Sequence, residues 1–133
     1  MKELNKNSNS VYKLNYHLIL VVKYRKAIFT DENVIERLKH ILSEISERYE
    51  VEIINQECGS DHIHILFSSK PTLDMTKYIN ILKGHSSRAL RKEFDFSEVL
   101  YGDSLWSDSY YLATAGNVSV DTIYKYIENQ RKP

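Results

Sequence analysis

The segment Asp61-His62-Ile63-His64-Ile65-Leu66-Phe67 alternates with a period of two. Ile63, Ile65 and Phe67 fall on one parity; His62, His64 and Leu66 fall on the other. Successive side chains of a β-strand point to opposite faces. The pattern therefore predicts an extended strand whose apolar side enters a core while two imidazoles stand together on the opposite surface. Along a strand those rings are about 6–7 Å apart, a separation at which both can converge on one divalent ion. The same spacing also describes two histidines on a half-exposed strand with no ligand. A third donor and a nucleophile elsewhere in the chain decide between the two.

The flanking pattern supplies a sheet for this strand. Residues 12–22 alternate at first and then run apolar from Leu18 to Val22, which predicts a central strand covered on parts of both faces. Thr30 or Asp31 is placed to cap a helix reaching about Tyr49, with Val34, Ile35, Leu38, Ile41, Leu42 and Ile45 at the helical period. Val51 to Cys58 reads as a strand, and Gly59-Ser60 as the turn that makes residues 51–67 a hairpin. Pro71-Thr72 marks the start of a second helix ending near Glu93. Residues 94–108 predict a loop, Tyr110 to Ala115 a short strand, and Ser119 a cap for a last helix from Val120 to about Gln130.

The order β-α-β-β-α-β-α begins with the split βαβ, ferredoxin-like arrangement. The expected fold is α+β: an antiparallel sheet with helices on one face, the histidines on the other, and a C-terminal tyrosine-bearing helix. A chain of 133 residues supports one domain, 1–133. Within it, 1–10 form a flexible N-terminal arm and 118–131 the C-terminal helix.

Eighteen Lys plus Arg balance eighteen Asp plus Glu, so a non-specific nucleic-acid coat is not implied, although local basic surfaces remain. One is Lys23-Tyr24-Arg25-Lys26, which suits a phosphate contact or a solvated loop equally. Another is the second helix, where Lys77, Lys83, Arg88, Arg91 and Lys92 occur with no acid between Asp74 and Glu93. Such a helix can follow a phosphate backbone, or it can simply be a solvated face. The single Cys58 excludes an intramolecular disulfide and a multi-cysteine metal site. The absence of a signal-like or membrane-length apolar run points to a cytoplasmic protein, which would be nucleoid-associated only if it binds DNA. Ten tyrosines suit an interface or a nucleic-acid surface, and also ordinary packing.

Two imidazoles and an amide oxygen can hold Mg²⁺ or Mn²⁺ and leave positions open; Mn²⁺ accepts imidazole more readily. Beside such an ion a phosphodiester is polarised and aligned for attack by a phenol, otherwise a weak nucleophile at its ordinary pKa of about 10. Tyr126 and Gln130 sit at i and i+4 and share one face of the last helix, whereas Tyr124 falls on another. Attack by Tyr126 gives a phosphotyrosine that conserves the energy of the broken linkage, so strands can be rejoined without ATP.

These residues, taken in order, resemble the single-tyrosine transposases of the IS200/IS605 type within the HUH endonuclease superfamily. His62-Ile63-His64 matches the His-hydrophobic-His signature, and Tyr126-Ile127-Glu128-Asn129-Gln130 the tyrosine helix. Tyr16-His17 with Lys23-Tyr24-Arg25, Leu82 to Arg88, and Leu105-Trp106-Ser107 with Tyr110 follow as further landmarks, from about residue 12 to 131. The resemblance implies a homodimer with joined sheets, in which the tyrosine and the histidines of one site can come from different subunits. It implies recognition of single-stranded DNA with hairpin ends, and cleavage and rejoining through a 5′-phosphotyrosine. It implies Tyr126 as nucleophile and Gln130 as third metal ligand beside His62 and His64. It places Lys23, Arg25, Lys26, Lys83 and Arg88 on DNA, and makes Asp61, His17 and Ser86 supporting candidates. The competing readings are another HUH enzyme, such as a replication initiator, a relaxase or a domesticated nuclease acting on chromosomal repeats, and a non-catalytic hairpin-binding protein.

Overall fold

The structure, a computed structural model, describes residues 13–100, 102, 104–115 and 125–128. Strand β1 (Leu14–Val22) leads through a 3₁₀ turn (Lys23–Arg25) to helix α1 (Glu32–Arg48). Strands β2 (Glu52–Cys58) and β3 (His62–Ser69) form the hairpin, followed by α2 (Met75–Glu93) and β4 (Trp106–Thr114). The sheet order is β2-β3-β1-β4, and every pairing is antiparallel. This is the expected ferredoxin-like order, and β1 is central as its apolar run requires.

Register gives the two faces different jobs. Leu18, Leu20 and Val22 of β1 and Ile63, Ile65 and Phe67 of β3 form one face, fully buried against Val34, Leu38, Ile41, Leu42 and Ile45 of α1 and Tyr78, Ile79 and Leu82 of α2. Burying side chains of this size contributes about 1.5–3 kcal/mol each relative to exposure. The opposite parity puts His17, Ile19 and Val21 beside His62 and His64. That face is partly covered: Ile127, from the helical turn at 125–128, packs on Ile19 and Val21.

Asp31 caps α1, its Oδ1 accepting from the Asn33 amide at 2.8 Å. α2 starts at Met75 rather than at Pro71-Thr72, because the Asp74 carboxylate accepts from the Lys77 amide. β4 begins at Trp106, so the strand takes in three residues of the expected loop. Trp106 packs against Phe29, and its indole N–H donates to the buried Ser86 hydroxyl. The predicted N-terminal arm, the Ser119 cap and the ends of the last helix lie outside the described residues. Among the described residues no helix is long and apolar enough to cross a membrane.

A buried polar pair ties the two helices. Tyr78 Oη and Ser46 Oγ lie 2.7 Å apart, and burial pushes the Tyr78 phenol up to about 12. Tyr78→Phe strands the Ser46 hydroxyl in the core. The expected cost is about 1–3 kcal/mol of stability, read from the urea denaturation midpoint.

Candidate functional site

β3 carries His62 and His64 on the face away from the long helices, as its alternation predicts. Each ring is held. Asp61 Oδ1 lies 2.9 Å from His62 Nδ1. Burial alone would raise the Asp61 carboxyl, but the hydrogen bonds from His62 and Arg25 and the Arg25 charge outweigh it and hold it below the usual range. A carboxylate only accepts, so the neutral His62 ring carries its proton on Nδ1 and keeps its lone pair on Nε2. Gly59 packs against the same ring: a Cβ there would stand 2.4 Å from His62 Cε1.

His64 Nε2 lies 2.8 Å from His17 Nδ1, with ring centroids 5.0 Å apart, and Glu57 Oε1 is 3.7 Å from His64 Nδ1. Burial, then the neighbouring His17 ring, push the His64 imidazole below its ordinary value despite Glu57. At neutral pH it is therefore the uncharged, lone-pair-bearing form that a metal requires. A histidine oriented through its second nitrogen by a carboxylate is the usual arrangement around bound metals. His62 with Asp61 fits a divalent ion on those grounds, and the neutral His64 would fit by exchanging the contact of its Nε2 with His17 Nδ1 for the ion. Among the described residues no group of three His, Cys, Asp or Glu is arranged so that it could hold a metal ion. The expected third donor, Gln130, lies outside the described residues. Cys58 is no candidate ligand, since burial pushes its thiol up to about 11.

The tyrosine comes to the same face. Tyr126 packs with Tyr111 of β4, ring centroids 5.0 Å apart. Tyr111 registers with Ile19, and Ile19 with His64, so one row crosses the sheet from imidazole to tyrosine platform. Two strand spacings make that row roughly 10 Å long. The Tyr126 hydroxyl is buried and has no hydrogen-bond partner among the described residues. Such an orphaned polar atom costs about 1–3 kcal/mol and calls for an explanation in function.

The basic cluster after β1 divides between inside and outside. Tyr24 (φ 58°) and Arg25 (φ 56°) are both left-handed without being glycine. A left-handed L-residue costs roughly 1–2 kcal/mol. Tyr24 is thrown outward, 70% exposed, with Lys23 Nζ 5.6 Å from its ring centre, and Lys26 is exposed. Arg25 is turned inward, its side chain only 9% exposed, with Nε donating to Asp61 Oδ2 at 2.6 Å and Nη1 donating to the Ile127 carbonyl.

Other expected site residues are not brought to the histidines. Ser86 is buried in α2 on the far side of the sheet, bonded to the Leu82 carbonyl and the Trp106 indole. Lys83 reaches the Asp108 carbonyl and lies over the Tyr110 ring, while Arg88 is exposed on the same helix. Three contributors carried no site signal in the sequence. Gly59 reads only as a turn, Tyr111 as one tyrosine of ten, and Glu57 as a surface acid. Their roles depend on register, which places them beside His62, Tyr126 and His64.

The comparisons with known proteins agree with this geometry. The family model "Transposase IS200 like" matches residues 10–130. The ISDra2 transposase TnpA of Deinococcus radiodurans is 37% identical over 129 residues, covering 96% of this chain and 91% of that protein. The IS200 transposase of Salmonella typhimurium is 31% identical over 120 residues, covering 90% of this chain and 78% of that one. The crystal structure of a Deinococcus radiodurans R1 protein assigned as a transposase superposes with a TM-score of 0.85 at 34% identity, covering all of both chains. A REP-associated tyrosine transposase bound to a REP hairpin shares the fold, with a TM-score of 0.59 at 12% identity over 97% of this chain and 68% of that one. With the histidine pair, the ferredoxin-like sheet and these relatives together, the chain belongs to the IS200/IS605 family of single-tyrosine transposases, in the HUH endonuclease superfamily.

Proposed function

We propose that this transposase cleaves and rejoins single-stranded DNA at insertion-sequence ends, with Tyr126 as the nucleophile and a divalent ion at His62 and His64. The supporting observation is the buried, unpartnered Tyr126 hydroxyl on the face that carries both imidazoles. Gln130 completes the ligand set in this reading. When bound, Mg²⁺ or Mn²⁺ polarises a non-bridging phosphate oxygen and fixes the linkage for in-line displacement.

The chain's own groups do the rest. Tyr126 Oη forms a bond to phosphorus and the bond to the 3′ oxygen breaks. The phenolic proton is lost and the departing oxygen takes one up, leaving a 5′-phosphotyrosine and a free 3′-OH. Rejoining is the same exchange in reverse with another 3′-OH. Asp61 keeps His62 in the tautomer with its lone pair outward, and His17 and Glu57 border His64. While Arg25 is engaged inward with Asp61 and the Ile127 carbonyl, Lys23 and Lys26 at the strand end, with Lys83 and Arg88 on α2, supply the positive surface for a phosphate backbone. They position DNA without reading its sequence. Hairpin-ended DNA is the proposed partner, which the hairpin-bound structural relative supports.

A homodimer is part of the proposal. Among the described residues β4 is an edge strand of the sheet, and its outer edge could receive a second copy. Exchange of the tyrosine helices between subunits would preserve every contact described, since each copy carries both halves of the site.

The test is a single-stranded oligonucleotide carrying the hairpin and flank from the DNA element that holds the gene, incubated with the protein and Mg²⁺ or Mn²⁺. A covalent DNA–protein complex mapped by mass spectrometry to the Tyr126 peptide supports the proposal. Hairpin binding with no adduct at any metal concentration rejects it in favour of a binding protein. Gly59→Ala is expected to slow adduct formation by about a hundred-fold, the scale of a 1 Å misplacement, while hairpin affinity stays unchanged. Single-turnover rates beside binding isotherms make that comparison.

A further inference from the structure

One guanidinium touches both halves of the proposed site. Arg25 donates through Nε to Asp61 Oδ2, and the other oxygen of that carboxylate holds His62 Nδ1. Arg25 also donates through Nη1 to the carbonyl of Ile127, the residue after Tyr126. Ile127 is itself seated on Ile19 and Val21 of the histidine face. With two left-handed residues at the end of β1, this side chain is turned to Asp61 and Ile127 while Tyr24 goes to solvent. Strained backbone of this kind persists where its surroundings over-determine it, and it clusters at functional sites.

We propose that Arg25 is a positioning residue that sets the His62 ring and the Tyr126 turn in register with each other. The inference rests on the reading that these two side chains act on one phosphate. The planar fork is what the arrangement requires. It approaches a carboxylate in one direction and a backbone carbonyl in another, with both donors fixed relative to each other. A lysine presents one point charge and cannot hold both acceptors in a fixed relation. Loss of the fork frees the Asp61 carboxylate to rotate away from His62 and leaves the Ile127 carbonyl without its donor. Both partners of the reaction then lose their mutual placement while remaining chemically intact. This role differs from a phosphate contact, which would act through DNA affinity.

The experiment compares the full chain with Arg25→Ala, Arg25→Lys and Asp61→Asn. It measures hairpin affinity by fluorescence anisotropy, the single-turnover adduct rate at saturating DNA, and the Mn²⁺ concentration giving half that rate. It also records the ¹⁵N shifts of the His62 ring and the amide exchange of residues 125–128. Arg25→Ala and Asp61→Asn are expected to lower the saturated rate about 10–100-fold, as loss of an outer-shell partner does, and to raise the Mn²⁺ requirement. Arg25→Lys recovers little of this. Hairpin affinity stays within about threefold, because a positioning residue acts after binding.

Parental saturated rates in Arg25→Ala overturn the inference, as does full rescue by Arg25→Lys. A change confined to hairpin affinity also overturns it and makes Arg25 a plain DNA contact. If Arg25→Ala fails to fold, Arg25→Lys and Asp61→Asn carry the test. A parental chain that forms no adduct overturns the strand-transfer reading instead. The Arg25 inference is then judged on the two spectroscopic readouts, and fails if neither the His62 shifts nor exchange at 125–128 responds.

Discussion

Tyr126→Phe is expected to abolish the proposed covalent DNA adduct and to leave hairpin binding at the parental level. The substitution removes one oxygen and keeps the ring that packs on Tyr111. That oxygen has no hydrogen-bond partner among the described residues, so its removal strands no donor or acceptor there. Deleting a polar atom of this kind relieves the cost of leaving it unsatisfied, so the variant is expected to be at least as stable as the parent, which separates chemistry from folding. The expected loss is at least about a thousand-fold in adduct rate, the scale at which enzymes respond to losing a covalent nucleophile. Tyr111→Phe is the matched control: it retains the ring contact and Tyr126, and is expected to keep the adduct. A DNA–protein complex that survives in Tyr126→Phe moves the nucleophile to another residue.

His62→Ala and His64→Ala are each expected to remove the proposed metal stimulation, and chelation is expected to bring the parent protein to the same floor. Either change takes away half of the imidazole pair while leaving the strand's buried parity untouched, so the core under Ile63, Ile65 and Phe67 holds. The drop is expected to exceed the roughly 10–100-fold that loss of an outer-shell partner brings. The two variants should differ in one respect. His64→Ala also deprives His17 of its ring partner, whereas His62→Ala leaves the Asp61 carboxylate with Arg25 as its charge partner. Thermal melts should therefore separate the variants even where both have lost activity. Cleavage that continues undiminished after chelation ends the metal assignment.

The fold was legible because each element declares itself locally. Alternation gave the parity of β3, the helical period gave α1 and α2, and their order allowed few arrangements. The early start of β4 was not legible: Ser107-Asp108-Ser109 has little strand propensity, and register with Val22 together with the packing of Trp106 decides it. The second helix began later than its Pro-Thr signal because Asp74 is the better cap. At the site, residue types were readable and their pairings were not. His17 meets His64 only because antiparallel register brings their rings together, and Arg25 faces inward only because two non-glycine residues adopt positive φ. Neither the cross-strand register nor a left-handed bend at Tyr24 leaves a mark in composition or period.

If two copies join along the outer margin of β4, as proposed, the geometry bears on how much DNA they could reach. An antiparallel join along that margin needs a dyad perpendicular to the sheet, and such a rotation reverses strand direction without turning the sheet over. Both imidazole pairs would then look out from one side of a single eight-stranded surface, with all four long helices behind it. A looped strand laid over that surface could present two scissile bonds at once without passing around the protein.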